Sequence, residues 1–286
     1  MLEPLASTNQ KPVANMKQFV VFVALAVAAA SANTIAQPGF PEGRIINGHE
    51  ALAGEAPYIV SLQTTAGSHF CAASILGERV LVTAAHCLTN SKYQAVAAAH
   101  GRSNKQDTQV RQISRSNHVV HENYNGGVGP YDIGLIFLEE PFNLNAISRD
   151  GSAPVASIGL PPKKLEGSTD GTLYGWGRDN SGALPELLQK LDVDIIDYVQ
   201  CKAALPANSK VAESNVCTWT SGTTDGACNG DSGGPLISRS SDGSAYLIGI
   251  VSWGYTPCAT TKYPSVYTAT SEYGDWIDEK IAAFET

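Results

Sequence analysis

The sequence predicts an all-β protein, a sandwich or a barrel, and three observations carry that prediction. Short runs of alternating or β-branched residues recur along the chain: "APYIVSLQT" (56–64), "ASILGERVLVTAA" (73–85), "YDIGLIFLEE" (131–140), "GTLYGWG" (171–177), "AYLIGIVSWG" (245–254) and "PSVYTAT" (264–270). Turn-forming clusters such as "NGG", "DNSG" and "SSDGS" separate such runs. Strands alternating with long amphipathic helices, the mark of an α/β protein, are missing.

The bulk numbers agree with a folded domain. The chain has 286 residues, 43% hydrophobic and 16% charged, which suffices for a sizeable core in one large domain or two small ones. The net charge of −8 comes with no basic stripe or Lys/Arg cluster, so nucleic acid is excluded as a partner.

The N-terminus reads as an export signal. "FVVFVALAVAAA" (19–30) is apolar, "MKQ" precedes it, and "ASA" (30–32) supplies small residues at a cleavage position. The run is short for a membrane span. Residues 1–32 are therefore expected to be a signal peptide, with 1–15 as a possible spurious extension before Met16. Residues 33–44 are Pro/Gly-rich and polar, as in a linker or propeptide, and 45–286 form the domain. Export implies an oxidising compartment, where the six cysteines read as disulfides rather than metal ligands. No CxxC occurs, and six cysteines by themselves leave 15 pairings open. At the other end, Tyr273, Ile277, Ile281 and Phe284 fall at helical spacing and predict a final helix with one buried face.

Three stretches carry chemistry. "LVTAAHC" places His86 where a β-rich run gives way to a loop. "YDIGLIFL" places Asp132 just before an apolar strand. "DGACNGDSGGPL" (225–236) places Ser232 in a glycine-rich loop. A serine hydroxyl is a weak nucleophile and needs an imidazole to take its proton. The imidazole needs a buried carboxylate to hold its tautomer and its developing charge. The oxyanion of the tetrahedral intermediate needs converging N–H donors, for which Gly230 and Ser232 are placed. Each residue alone has a plainer reading as a capping histidine, a strand-edge acid or a turn hydroxyl. The three in this order outweigh those readings.

"TAAHC", "DIGLIFL" and "GDSGGPL" resemble the trypsin/chymotrypsin family of secreted serine endopeptidases, in register from about Ile45 to the C-terminus. The resemblance implies two six-stranded antiparallel β-barrels with a C-terminal helix and the catalytic residues between them. It implies His86 as base, Asp132 as orienting acid, Ser232 as nucleophile, and Gly230 with Ser232 as the oxyanion hole. "EGR" followed by "IING" resembles an activation site, with cleavage between Arg44 and Ile45 and insertion of the new amine against Asp231. The family's disulfide pairing would be Cys71–Cys87, Cys201–Cys217 and Cys228–Cys258.

The same resemblance addresses specificity. The position six before the nucleophile, acidic in trypsins, is Gly226; Asp225 is one residue out of register. Gly254 matches the small residue at the pocket mouth, and Ser265 stands where glycine is usual. Ser252 and Trp253 match the segment that binds substrate backbone as an added strand. A neutral floor implies an apolar or aromatic preference, with trypsin-like cleavage through Asp225 as the alternative. Ala72–Ala73 replace the usual Gly-Gly. Arg102 replaces the glutamate of calcium-binding trypsins, with only Asp107 nearby, so neither metal nor cofactor is expected. The expected partners are protein or peptide substrates, an activating protease and protein protease inhibitors. The expected setting is extracellular, such as a gut lumen, as a monomer with no membrane. The architecture resembles insect midgut enzymes, and parts resemble gut relatives called lectizymes, described as proteolytic lectins. A carbohydrate-binding protein on the protease fold is therefore the second reading, with Trp219 and Tyr255 as rings that could stack on sugar.

Overall fold

The computed structural model describes residues 45–103, 107–146, 155–162, 169–219, 223–258 and 263–286. The signal peptide, the extension and the propeptide with Arg44 lie outside the described residues.

The first sheet has the order β6-β5-β2-β3-β4-β8-β7, all antiparallel. Its strands are β2 (Ile59–Gln63), β3 (His69–Gly77), β4 (Val80–Thr83), β5 (Lys92–Ala97), β6 (Gln109–Ser114), β7 (His118–Val120) and β8 (Gly134–Phe137). The second has the order β1-β10-β11-β14-β13-β12-β9, and β9 pairs again with β10 to close it. Its strands are β1 (His49–Glu50), β9 (Thr169–Gly175), β10 (Gln189–Ile196), β11 (Asn215–Thr218), β12 (Pro235–Arg239), β13 (Ala245–Trp253) and β14 (Ser265–Ala269). Six of these strands form a closed barrel, to which the short β1 is added.

The expected double-barrel fold is thus present, with one barrel closed and the other not. Among the described residues, no ladder joins β6 to β7, so the first sheet stays an open half-barrel. The chain itself connects the two edges. Ser114 and Asn117 bond each other's backbone and side chain in a capping box, which forces a 3-10 turn at Arg115–Asn117 between β6 and β7. Counted as one broken strand, β6 and β7 bring the number to six.

Side-chain alternation explains which way the strands face. In β10, Leu191, Val193 and Ile195 are buried while Asp192 and Asp194 are exposed, as a pleat of period two requires. By contrast, β2, β4 and β8 are buried along their whole length, because both of their faces meet packed material. Among the described residues, Trp176, Tyr93, Tyr174, Tyr267 and Phe142 are the largest fully enclosed side chains, and fixing them excludes alternative packings.

Among the described residues, two α-helices complete the fold. The final helix α2 spans Gly274–Glu285. Tyr273 and Ile277 are buried and Ile281 packs on the core, as the spacing predicts. Phe284 departs from the prediction: it is 43% exposed, because it lies at the helix end and stacks on Phe137 with 4.4 Å between ring centres. The helix α1 (Tyr198–Ala204) was not anticipated, although its start signal is in the sequence. Asp197 accepts from Gln200 N–H at 2.9 Å, and the Gln200 side chain reaches back to Asp197 N–H at 3.2 Å. Replacing Asp197 with Ala should cost about 1 kcal/mol of stability, measurable by urea denaturation of a Ser232→Ala background that cannot digest itself. An unchanged midpoint would mean that the cap contributes nothing.

Disulfides join Cys71–Cys87, Cys201–Cys217 and Cys228–Cys258. The first ties β3 to the turn that carries His86. The second ties α1 to β11. The third ties the loop before Ser232 to the segment after β13. Among the described residues, no helix is long and apolar enough to cross a membrane.

Candidate active site

The site lies where segments of both sheets meet. His86 sits in a 3-10 turn (Ala85–Cys87) directly after β4, so it is held by a strand end and a disulfide at once. Asp132 precedes β8 and is 1% exposed. Ser232 belongs to the loop that enters β12, in the other sheet.

Asp132 accepts from three donors. His86 N–H binds Oδ1 at 3.0 Å, His86 Nδ1 binds Oδ2 at 2.8 Å, and the Ser252 hydroxyl binds Oδ2 at 2.6 Å. A carboxylate can only accept, so Nδ1 carries the proton and a neutral His86 ring presents Nε2 as an acceptor. That nitrogen is the one a serine hydroxyl needs. His86 and Ser232 line one cavity of about 360 Å³, together with Ala227, Cys228, Trp253 and Gly254.

The loop before Ser232 turns tightly at a glycine. Gly230 has φ +106, and a Cβ there would come 3.0 Å from Gly177 Cα. The N–H groups of Asp231, Gly233 and Gly234 bond to Cys228, Val251 and Asp231 carbonyls. Among the described residues, no hydrogen bond occupies the N–H groups of Gly230 and Ser232. Asp231 is fully buried and accepts from Gly177 N–H at 2.7 Å and Cys228 N–H at 2.9 Å. Burial pushes its carboxyl up to about 6, against the pull of those two bonds. Ile45 is also fully buried, among Leu173, Leu191 and Leu236. Ile46 pairs with Gly226, which brings this dipeptide to the segment that leads into the Asp231 loop.

His69 was not singled out from the sequence, yet it touches the site. Its Nε2 lies 2.8 Å from the Gly230 carbonyl, and its Nδ1 lies 2.8 Å from Ser61 Oγ. The carbonyl can only accept, so Nε2 donates and Nδ1 accepts the Ser61 proton. Burial pulls the ring down to about 4, which keeps it neutral. The contact spans 161 residues, and no local pattern could have announced it. The bond of the Ser252 side chain to Asp132 was missed in the same way.

Of the residues expected around the specificity pocket, Ser252, Trp253 and Gly254 line the cavity. A Cβ on Gly254 would meet nothing within 4 Å, so the mouth is open there. Gly226 and Ser265 do not line this cavity; they face each other. Ser265 Oγ lies 2.8 Å from where a Cβ of Gly226 would be. Asp225 borders a different cavity with Asp170, Asp192, Asp194 and Arg239. It is absent from the lining of the cavity that holds His86 and Ser232. Trp219, Trp253, Tyr255 and Tyr263 pack around the core formed by Cys201, Cys217 and Val266. Arg102 donates to the Pro185 and Leu184 carbonyls at 2.5 and 3.0 Å, which ties its loop to the segment before β10. Cys71, His86 and Cys87 have ligating atoms within 4.8 Å of one another. The two sulfurs are joined as a disulfide, so the group offers no thiolate to a metal.

A family model described as "Trypsin" matches residues 45–277. The chain is 52% identical over 269 residues to a protein of Glossina austeni called Lectizyme, covering 93% of this chain and 97% of that one. It is 33% identical to Trypsin beta of Drosophila erecta, covering 92% and 98%. It is 36% identical to Anionic trypsin of Canis lupus familiaris, covering 87% and 94%.

Proposed function

Because the chain belongs to the trypsin family and is a serine endopeptidase, we propose that His86, Asp132 and Ser232 are its catalytic triad, with the Gly230 and Ser232 N–H groups as oxyanion hole. The observation that carries this reading is the Asp132 cluster, which leaves His86 Nε2 as an acceptor in the cavity shared with Ser232. Ser232 Oγ attacks the scissile carbonyl while Nε2 takes its proton. Asp132 stabilises the imidazolium, and the two N–H groups bind the oxyanion. His86 then protonates the leaving amine, and water releases the acyl group by the reverse sequence.

The enzyme is a secreted zymogen: residues 1–32 are removed on export, and cleavage between Arg44 and Ile45 by an activating protease frees the amine that pairs with Asp231. Its setting is digestive and its partners are protein substrates and inhibitors. Specificity follows from a neutral floor. Among the described residues, the cavity beside Ser232 is lined by no acid, Gly226 and Ser265 add none, and Asp225 borders a different cavity. A Lys or Arg side chain would be buried there without a counter-charge, at a cost of several kcal/mol. Phe, Tyr and Leu fit.

The test is a peptide-library profile of protein cut after Arg44, with Ser232→Ala as control. Cuts after Phe, Tyr or Leu, absent in the control, are expected. Cuts after Lys or Arg would mean that Asp225 reaches the pocket. A second reading, sugar binding, is favoured by the 52% identical Lectizyme. Retention of the Ser232→Ala protein on immobilised sugar, lost on adding free sugar, would establish it; free passage would remove it.

A further inference from the structure

Tyr131, next to Asp132, has φ +65. An aromatic residue rarely adopts that left-handed conformation, and such strain persists only where the surroundings enforce it. Its effect is local and visible. The Tyr131 carbonyl accepts Ile133 N–H at 2.8 Å, so the chain folds tightly around Asp132. The Asp132 carbonyl accepts from Thr268 Oγ1 at 2.9 Å. The backbone of Asp132, from which its carboxylate reaches His86, is therefore set by this compact turn and by Thr268.

The enforcement comes from the C-terminal segment. The Tyr273 hydroxyl accepts Tyr131 N–H at 3.1 Å, and it also bonds the Ser214 side chain. The His121 ring lies 4.9 Å from the Tyr131 ring and 5.0 Å from Trp276, on which it stacks, with Tyr273 edge-on at 5.4 Å. His121 N–H donates to the Ile133 carbonyl at 3.1 Å. Trp276 is fixed in turn by its Nε1–H bond to Glu122 at 2.8 Å. A ring cage thus grips the backbone on both sides of Asp132. Packing alone would explain rings that anchor α2; it would not explain a buried hydroxyl spent on the amide of a strained residue.

We propose that Tyr273 is a positioning residue for catalysis: its hydroxyl, backed by the His121 ring, holds Tyr131 in the left-handed conformation and so aims the Asp132 carboxylate at His86. The proposal rests on the triad reading above. Tyr273→Phe removes the hydroxyl and keeps the ring. It should lower kcat about tenfold or more with KM unchanged and the melting temperature nearly so. Glycine adopts positive φ without support. Tyr131→Gly added to Tyr273→Phe should therefore restore kcat to within about threefold of wild type.

An unchanged kcat in Tyr273→Phe overturns the proposal. So does a loss that tracks a fall in melting temperature and is not rescued by Tyr131→Gly, since that is the pattern of a merely structural residue. Labelling of wild-type Ser232 by a sulfonyl fluoride separates the two levels. If Ser232 is not labelled, the triad reading fails; if it is labelled and Tyr273→Phe behaves as wild type, only this proposal fails.

Discussion

Replacing Asp132 with Asn should lower kcat about 10⁴-fold, the size known for the triad acid in this family, while KM changes little. The reason is the direction of the hydrogen bonds. All three partners of the carboxylate, His86 N–H, His86 Nδ1 and Ser252 Oγ, donate to it. An amide of the same shape must point its NH₂ at one of them. If it faces His86, Nδ1 becomes the acceptor, the ring proton moves to Nε2, and that nitrogen can no longer take the proton of Ser232. The fold should survive, because Thr268 still holds the Asp132 backbone carbonyl. Steady-state kinetics on protein cut after Arg44, with far-UV circular dichroism as the check on folding, measure this. A loss under tenfold in a folded protein would remove Asp132 from the proposed role.

The second large effect concerns Asp231 and is read in stability as well as activity. With Ile45 in peptide linkage, burial raises the carboxyl from 3.8 to about 6. The folded chain then holds a proton that the unfolded chain has already released. The stability contribution is complete below pH 3.8 and is lost as pH rises through about 6, by roughly 3 kcal/mol at about 1.4 kcal/mol per pK unit. An ammonium from Ile45 reverses the sign, because it lowers the carboxyl pKa and stabilises the charged form. The uncut Arg44→Gln protein should therefore melt progressively lower from pH 4 to 7, relative to the same protein carrying Asp231→Asn. The cut protein should melt higher over that range. Asp231→Asn in the cut protein should abolish the gain and most of the activity, because Gly230 and Ser232 flank this residue. Melting curves of the four proteins at several pH values decide it. Identical pH dependence of the cut and uncut forms would mean that Ile45 and Asp231 are not paired.

Ser265 illustrates how far sequence reasoning reached in the pocket. It was expected among the pocket residues, and its hydroxyl faces Gly226 closely. The cavity beside Ser232, however, is walled by Ala227 and Cys228, not by Gly226 and Ser265. Which of two neighbouring loop residues points inward depends on φ, and Gly226 at +145 is not predictable from its neighbours. Strands such as β3, β4 and β13 were legible because burial on both faces leaves unbroken apolar runs. The strands β5, β6 and β11 were not, since partly polar faces blur the alternation. The helix α1 was readable in principle from Asp197 and Gln200, but seven residues give too short a period to notice.

The sequence by itself determined the all-β class, the three residues of the proposed triad, their order, and the neutral character of Gly226. These are properties of residue type and near neighbours. Only the tertiary structure decided that His86 presents Nε2, that Ser252 serves Asp132, that His69 holds the Gly230 carbonyl, and that Tyr273 grips Tyr131. Each of these is a hydrogen bond between groups far apart in the chain. Such a bond exists only where two independently folded surfaces meet at the right angle, and nothing local in the chain encodes that angle.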